Sequence, residues 1–460
     1  MNMIPTAVQT YIDSHRDAAL ESLFALLGFP SIANVADPDG CTPCAQWLAE
    51  YLAKAGFATE LLELPEAQPA VFAEHHEGDD LPTLLIYGHY DVQPADPLEL
   101  WDSAPFEPEV RDGWIFARGA DDDKGQLFTH VSAACAYLKT DTPMGINLKL
   151  FIEGEEEIGS NHMPELLELH KDKLAADVLV VSDTAFFAEG QPSITTALRG
   201  LAAVEVTATG PDRDLHSGSE GGMVANPINA LCRIIASLHD ETGRIAIDGF
   251  NDNILDPTDE ELAVWNSLNY DEAAHAAELG APALGGGERH LPALVRNWAR
   301  PTLDCNGITG GYQGPGQKTI IPSTASVKIS CRLVPRQDPQ HVLDCIVRHI
   351  EANTPEGITM TVEPKAGVGA VEFPVSSPAI DAVKAAMLAA FGAEALTIRA
   401  GASIPITKHF QDILGLDAIL AGVGLHEDNI HSPNEKFKLS QFYGGIEFSA
   451  RLIAEIAKGL

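Results

Sequence analysis

Residues 83–87 (TLLIY) form a continuous apolar run between Pro82 and Gly88, and similar runs occupy 148–152 (LKLFI) and 178–181 (VLVV). A strand with one wet face alternates polar and apolar residues. A short run of this kind instead suits a strand covered on both faces. Helical spacing fills 126–138 and 164–174, and earlier 5–28 and 43–56, the last ending at Gly56. Such strands alternating with helices predict an α/β domain with a mixed, largely parallel sheet flanked by helices.

The character changes near Leu198. Residues 201–209 read as a strand, 227–239 as a helix, and 326–333 alternate like a half-exposed antiparallel strand. Helical spacing returns at 339–353 and a strand at 358–362, while 240–300 is polar, acidic and loop-rich. This succession predicts a small two-layer α+β domain. After about residue 370 the α/β character resumes, with a helix over 379–391 and a last one from Gln441. The chain therefore reads as an α/β domain, 1–197 and 371–460, interrupted by an inserted α+β domain, 198–370.

No run of eighteen apolar residues occurs, so no membrane span is expected. Residues 1–16 read as the start of an amphipathic helix with no export signal, which points to the cytoplasm. With 29 basic and 66 acidic residues the net charge is −37, which repels phosphate backbones and argues against nucleic acid as a partner. Seven cysteines, an odd number, are expected to be reduced and mostly buried thiols, and the lone Cys41-x-x-Cys44 pair is given no function.

The chemistry lies in the segments just after the apolar runs. His89 and Asp91 come directly after the first, at the carboxyl end where open α/β sheets bind ligands. Alternation puts both on one side, although a plain surface loop accounts for them equally well. Asp121, Asp122 and Asp123 precede a helix, where one or two of them can serve as caps. Glu153 and Glu155–Glu157 come after the second run, where a solvated acidic face is the competing account. Asp183 ends the third run, and His431 sits in a polar loop, each weak alone. Taken together, carboxylates and imidazoles form a mixed donor set that suits Zn²⁺ or Mn²⁺. A carboxylate left over among them can act as general base.

The segments HYDVQP (89–94), RGADDDKG (118–125), EGEEEIGS (153–160), SDT (182–184) and HSPNEK (431–436), in this order, resemble the M20 metallopeptidase family over essentially the whole chain. The resemblance implies a catalytic α/β domain with an inserted lid domain that mediates homodimerisation. It implies two divalent ions, Zn²⁺ or Mn²⁺, bridged by Asp122. His89 and Asp183 complete one and Glu157 and His431 the other. The peptide from Asp122 to Asp123 is expected to be cis. Asp91 would orient His89 and Glu156 would be the general base for a metal-bridging water, with Asp121 and Glu155 as bystanders. Aspartate at 183 resembles the dipeptidase branch. In the inserted domain, His216 of DLHSG would reach a partner subunit's site and stabilise the oxyanion. Arg332 would bind the substrate's free carboxylate, and Ser403, in a GASIP turn where the family has Gly-Gly-Ser, would touch the substrate. GGYQGPGQKT (310–319) lacks the phosphate-loop ending and reads as a lid loop near substrate.

The expected activity is hydrolysis of the amide bond of small peptides, foremost dipeptides with a free carboxylate. Two rivals share the family, an N-acyl-amino-acid deacylase and a carboxypeptidase. A third, from another class, is a non-catalytic metal- or peptide-binding protein.

Overall fold

The computed structural model describes residues 4–33 and 40–459. Residues 1–3, 34–39 and 460, which the N-terminal and domain readings included, lie outside the described residues. The chain packs as two compact units. One comprises 1–196, 373–398 and 404–460; the other comprises 197–372 with 399–403. The turn 399–403, kept with the outer segments when read from sequence, thus packs in the second unit.

The first unit is built on a mixed sheet. Its strands run in the order Ala58–Leu62, Ala70–His75, Asn147–Glu153, Thr83–His89, Val178–Val181, Ala418–Leu420 and Ser193–Leu198. The central four are parallel and the flanking pairs antiparallel. The three apolar runs form three of the four parallel strands, and their side chains from Leu84 to His89, Asn147 to Glu153 and Val178 to Val181 are all buried. Each fully buried Leu, Ile or Val there contributes ~1.5–3 kcal/mol of burial. Register brings the strand ends level: His89 lies opposite Glu153, Tyr87 opposite Val181, and Val181 opposite Leu420. All four carboxyl ends therefore open on one edge.

Helix Lys124–Lys139 is buried nearly all round, because it packs on Thr83–His89 and is itself covered by Leu439–Ile456 and the N-terminal helices. Two helices expected to be continuous are broken. The one over 5–28 stops at Ser14 and restarts at Arg16, with His15 between them out of helical geometry at φ −120°. The one over 164–174 divides at His170 into Met163–Leu169 and Lys171–Leu174. Among the described residues no helix is long and apolar enough to cross a membrane.

The second unit carries an antiparallel sheet in the order Thr302–Gly310, Thr324–Leu333, Gly200–Thr209, Thr359–Val368. Burial alternates along Gly200–Thr209 and Thr324–Leu333. Their inward residues, among them Val204, Val206, Val327 and Ile329, share a core with helices Pro227–Ser237 and Pro339–Ala352. The stretch 240–300 holds three short helices that its polar sequence did not announce, Asp259–Ser267, Glu272–Glu278 and Ala293–Ala299. The first two are started by caps, Thr258 with a capping box and Asp271.

Candidate metal centre

The loops at the carboxyl edge of the parallel strands bring five of the residues singled out above together. His89 ends its strand with its side chain fully buried. Its Nε2 lies 3.1 Å from Asp122 Oδ1 and 3.9 Å from Asp183 Oδ2. The other oxygen of Asp122, Oδ2, lies 2.9 Å from His431 Nε2, which is also 3.1 Å from Glu157 Oε2. Asp122 is thus shared between two groups that could each hold a metal ion, His89–Asp122–Asp183 and Asp122–Glu157–His431, with donor atoms within 4.8 Å of one another. The peptide from Asp122 to Asp123 is cis.

The donor set fits a cation. His89 Nδ1 faces the Asp91 carbonyl at 3.1 Å and its carboxylate at 3.4 Å, which favours the proton on Nδ1. Nε2 is then buried with no hydrogen-bond partner, although carboxylates surround it. A buried lone pair ringed by anions is stable only if something positive sits among them.

The ionisation states show the same crowding. Burial, reinforced by Asp122, pushes Asp183 well above the usual carboxylate range. Burial also lifts Glu156 to about 8, with Asp122 and Glu157 adding to it and His89 opposing. Asp122 goes the other way: burial works against its charge, but the imidazoles of His431 and His89 hold it below the ordinary range. His431, pressed against Asp122 and Glu157, is raised to about 10.

The loops are held by side chains that sequence reasoning passed over or cast in another role. Asp91 accepts the backbone N–H of Glu156 at 3.2 Å and of Glu157 at 3.0 Å, so it fixes that pair as well as His89. Gln93 donates to Glu157 Oε2 at 2.8 Å. Glu435, buried, accepts from Arg118 Nη1 at 2.7 Å and from the backbone of Gly119, Asp121 and Asp122. Gln93 and Glu435 lie inside HYDVQP and HSPNEK. The only available signal was a polar residue in a proline-containing loop beside a metal-type residue, which does not say what it bonds.

The capping account of the aspartates does not hold. Asp123 occupies the N-cap position but makes no cap bond, and its Oδ2 accepts the N–H of His89 at 3.1 Å. Gly125 is required by close approach, since a Cβ there would lie 1.8 Å from the Ala120 carbonyl oxygen. Glu155 Oε1 accepts from Gln68 N at 3.0 Å, anchoring the loop that carries Glu156.

His216, Arg332 and Ser403 belong to the second unit. His216 is exposed, and its Nδ1 accepts the N–H of Gly218 at 3.0 Å and of Ser219 at 3.2 Å. This places the ring proton on Nε2. Arg332 Nη1 donates to Ser403 Oγ at 2.8 Å. The 310–319 loop runs into strand Ile320–Ile321, with no helix after it. All seven cysteines are free, five of them buried.

Comparison with known proteins agrees with this geometry. The profile of Peptidase family M20/M25/M40 matches residues 85–455. The chain is 30% identical to the Beta-Ala-His dipeptidase of Homo sapiens, over 97% of this chain and 92% of that protein. It is 31% identical to the Cys-Gly metallodipeptidase DUG1 of Saccharomyces cerevisiae, over 88% of each. Among solved structures, the M20 family metallo-carboxypeptidase Sso-CP2 of Sulfolobus solfataricus superposes with a TM-score of 0.85 at 32% identity, covering 96% of this chain and 99% of that one. A profile match over most of the chain, with relatives of this identity along nearly its full length, establishes that the protein belongs to the M20 peptidase family and is a metallopeptidase.

Proposed function

We propose that this metallopeptidase is a dipeptidase that hydrolyses the amide bond of small peptides with a free carboxylate. The observation that carries the proposal is Asp122, whose two oxygens face His89 and His431 separately. That arrangement supports two divalent ions, Zn²⁺ or Mn²⁺, one held by His89, Asp122 and Asp183 and the other by Asp122, Glu157 and His431. The names of the human and yeast relatives, both dipeptidases, support the substrate class.

When bound, the two ions supply Lewis-acid polarisation of the scissile carbonyl and lower the pKa of the attacking water. Glu156 takes the water's proton and returns it to the leaving amine. Asp91 keeps His89 in the tautomer that leaves Nε2 free, and by accepting the backbone N–H of Glu156 and of Glu157 keeps that pair in place. Residues 198–370 act as lid and dimerisation domain. His216 of the partner subunit, with its proton on Nε2, donates to the developing oxyanion. Arg332 takes the substrate's carboxylate with its planar fork, assisted by Ser403. The unpaired thiols favour the cytoplasm.

A carboxypeptidase is the second reading, favoured by the likeness to the Sulfolobus enzyme. The deciding experiment is turnover of a mixed dipeptide panel, with N-acetylated and longer analogues, by metal-loaded protein and by Glu156→Gln. Dipeptide cleavage lost in the variant at unchanged metal content supports the proposal. Turnover confined to N-acetylated or longer substrates overturns it in favour of a deacylase or carboxypeptidase. Binding without any cleavage would leave a peptide-binding protein.

A further inference from the structure

Among the described residues the chain buries three arginines, Arg118, Arg199 and Arg399. Two have an acid beside them: Arg118 meets Glu435 at 2.7 Å and Arg399 meets Glu261 at 2.6 Å. Arg199, 9% exposed, has no carboxylate within 4.0 Å among the described residues. Its Nη1 is buried without a hydrogen-bond partner. The charge that bears on it most is another guanidinium, Arg332, with Asp304 a weaker and opposite influence. Burial first, and the Arg332 charge second, pull the Arg199 guanidinium down to about 10. Two guanidinium groups that repel each other, neither with a carboxylate within 4.0 Å among the described residues, are unfavourable until an anion joins them.

Arg199 also grips the turn that carries Ser403. Its backbone N–H donates to the Ala402 carbonyl at 3.0 Å and its Nε to the Gly401 carbonyl at 2.8 Å. Its own carbonyl accepts the Ser403 hydroxyl proton. With that proton committed, Ser403 can only accept from Arg332, and it does so at 2.8 Å. Ser403 thus steers Arg332 and has no proton left for a substrate anion. The turn is pressed so close that a Cβ on Gly401 would lie 2.6 Å from Asn297 Oδ1 and 2.9 Å from Arg199 Nη2.

We infer that Arg199 is the positioning residue of a two-guanidinium carboxylate site. It clamps the 401–403 turn so that Ser403 aims Arg332, and it sets a second positive charge that selects substrates ending in a free carboxylate. The inference rests on the assignment of Arg332 to the substrate's carboxylate.

The test is steady-state kinetics on one dipeptide and its C-terminal carboxamide, for the metal-loaded full chain and for Arg199→Lys, Arg199→Gln and Arg332→Lys. The wild type should prefer the acid by roughly 100-fold in kcat/KM. Arg199→Gln should raise KM for the acid by about 10-fold and shrink the preference to match, with kcat within about twofold. Arg199→Lys keeps the charge but loses the fork, and should fall between them. If both Arg199 variants keep the wild-type preference while kcat falls equally for the two substrates, Arg199 is only a structural strut and the inference is overturned. Should Arg199→Gln fail to fold by circular dichroism, the Arg199→Lys preference decides alone, and an unchanged value overturns it. A wild type that treats acid and amide alike, with Arg332→Lys changing nothing, removes the assignment of Arg332 itself and the inference with it.

Discussion

The buried carboxylate of Glu435 accepts the backbone N–H of Asp122 at 3.1 Å. Its Oε1 also takes the N–H of Asp121 at 3.1 Å, while Oε2 takes Gly119 N at 2.9 Å and Arg118 Nη1 at 2.7 Å. Glu435 closes the loop that carries His431. One side chain therefore ties the backbone of the shared aspartate to the loop of a residue that shares it.

Glu435→Gln should consequently act on metal binding before it acts on substrate. Partners of this kind are worth about 10–100-fold in metal affinity, so that loss is expected in competition titrations with a chelating dye. KM should stay near the wild-type value while kcat falls. Because Arg118 and Glu435 are each 1% exposed, leaving the arginine unpaired should also cost ~3–5 kcal/mol in urea unfolding. Conservative replacement by Asp should recover part of both. Unchanged metal affinity together with lowered stability would mean that Glu435 only holds the fold.

Sharing of Asp122 makes the two groups unequal under mutation. Asp122→Asn removes a donor from both, whereas Asp183→Asn removes one only from the group around His89. Elemental analysis after dialysis should find about two ions per chain in the wild type, about one in Asp183→Asn and close to none in Asp122→Asn. Equal loss in the two variants would show that the ions do not bind as separate groups. Removing the ions by chelation should also lower the melting temperature. Ligand at about 100 times its Kd stabilises by about 2.7 kcal/mol.

How much of this could be read from the residues depends on which interactions are local. The runs 83–87, 148–152 and 178–181 announced the parallel strands because burial on both faces leaves no place for polar residues. The donors just beyond them were legible because strand ends in such sheets are where sites form. The edge strand Ala58–Leu62 and its neighbour Ala70–His75 gave a weaker signal, since antiparallel strands mix polar and apolar residues more freely than the parallel centre does. The break at His15 and the three short helices between 259 and 299 depend on caps and packing that periodicity does not register. Asp123 looked like a cap and instead holds His89, because a tertiary partner outcompeted the local one. Arg199 and Glu435 were hidden for the same reason: every bond that matters to them spans the sequence.

His130 offers a pH test on a residue outside the two donor groups. It is buried between Ser449 Oγ at 2.9 Å and Ser182 Oγ at 2.6 Å, and burial lowers it to about 4. The folded protein therefore keeps it neutral, while the unfolded chain takes up a proton below about pH 6.5. A histidine depressed in this way contributes stability above its unfolded pKa and loses it as the pH falls toward the folded value. Between about pH 7 and pH 5 the loss should be on the order of 2 kcal/mol. Urea unfolding of metal-loaded wild type and His130→Gln at both pH values checks this. The variant should be less stable at neutral pH and should lack that part of the acid loss.

Glu156 is the group whose titration should appear in the rate. A general base works in its charged form, so kcat/KM should rise with pH as Glu156 loses its proton. Burial lifts it to about 8, Asp122 and Glu157 push in the same direction, and His89 opposes. Two cations held by its neighbours, as proposed above, would favour the carboxylate and pull the other way. In the loaded enzyme the acid limb should therefore fall below pH 8, between that value and the ordinary glutamate value of about 4.3. Replacing Glu156 by Gln removes the titrating group, and the residual rate should lose this limb while metal content stays the same. A limb that persists unchanged in Glu156→Gln would assign the titration to another residue and take the proton-transfer role away from Glu156. A limb at pH 8 or above would mean that the ions do not reach Glu156 electrostatically, which the shared position of Asp122 between the two donor groups argues against.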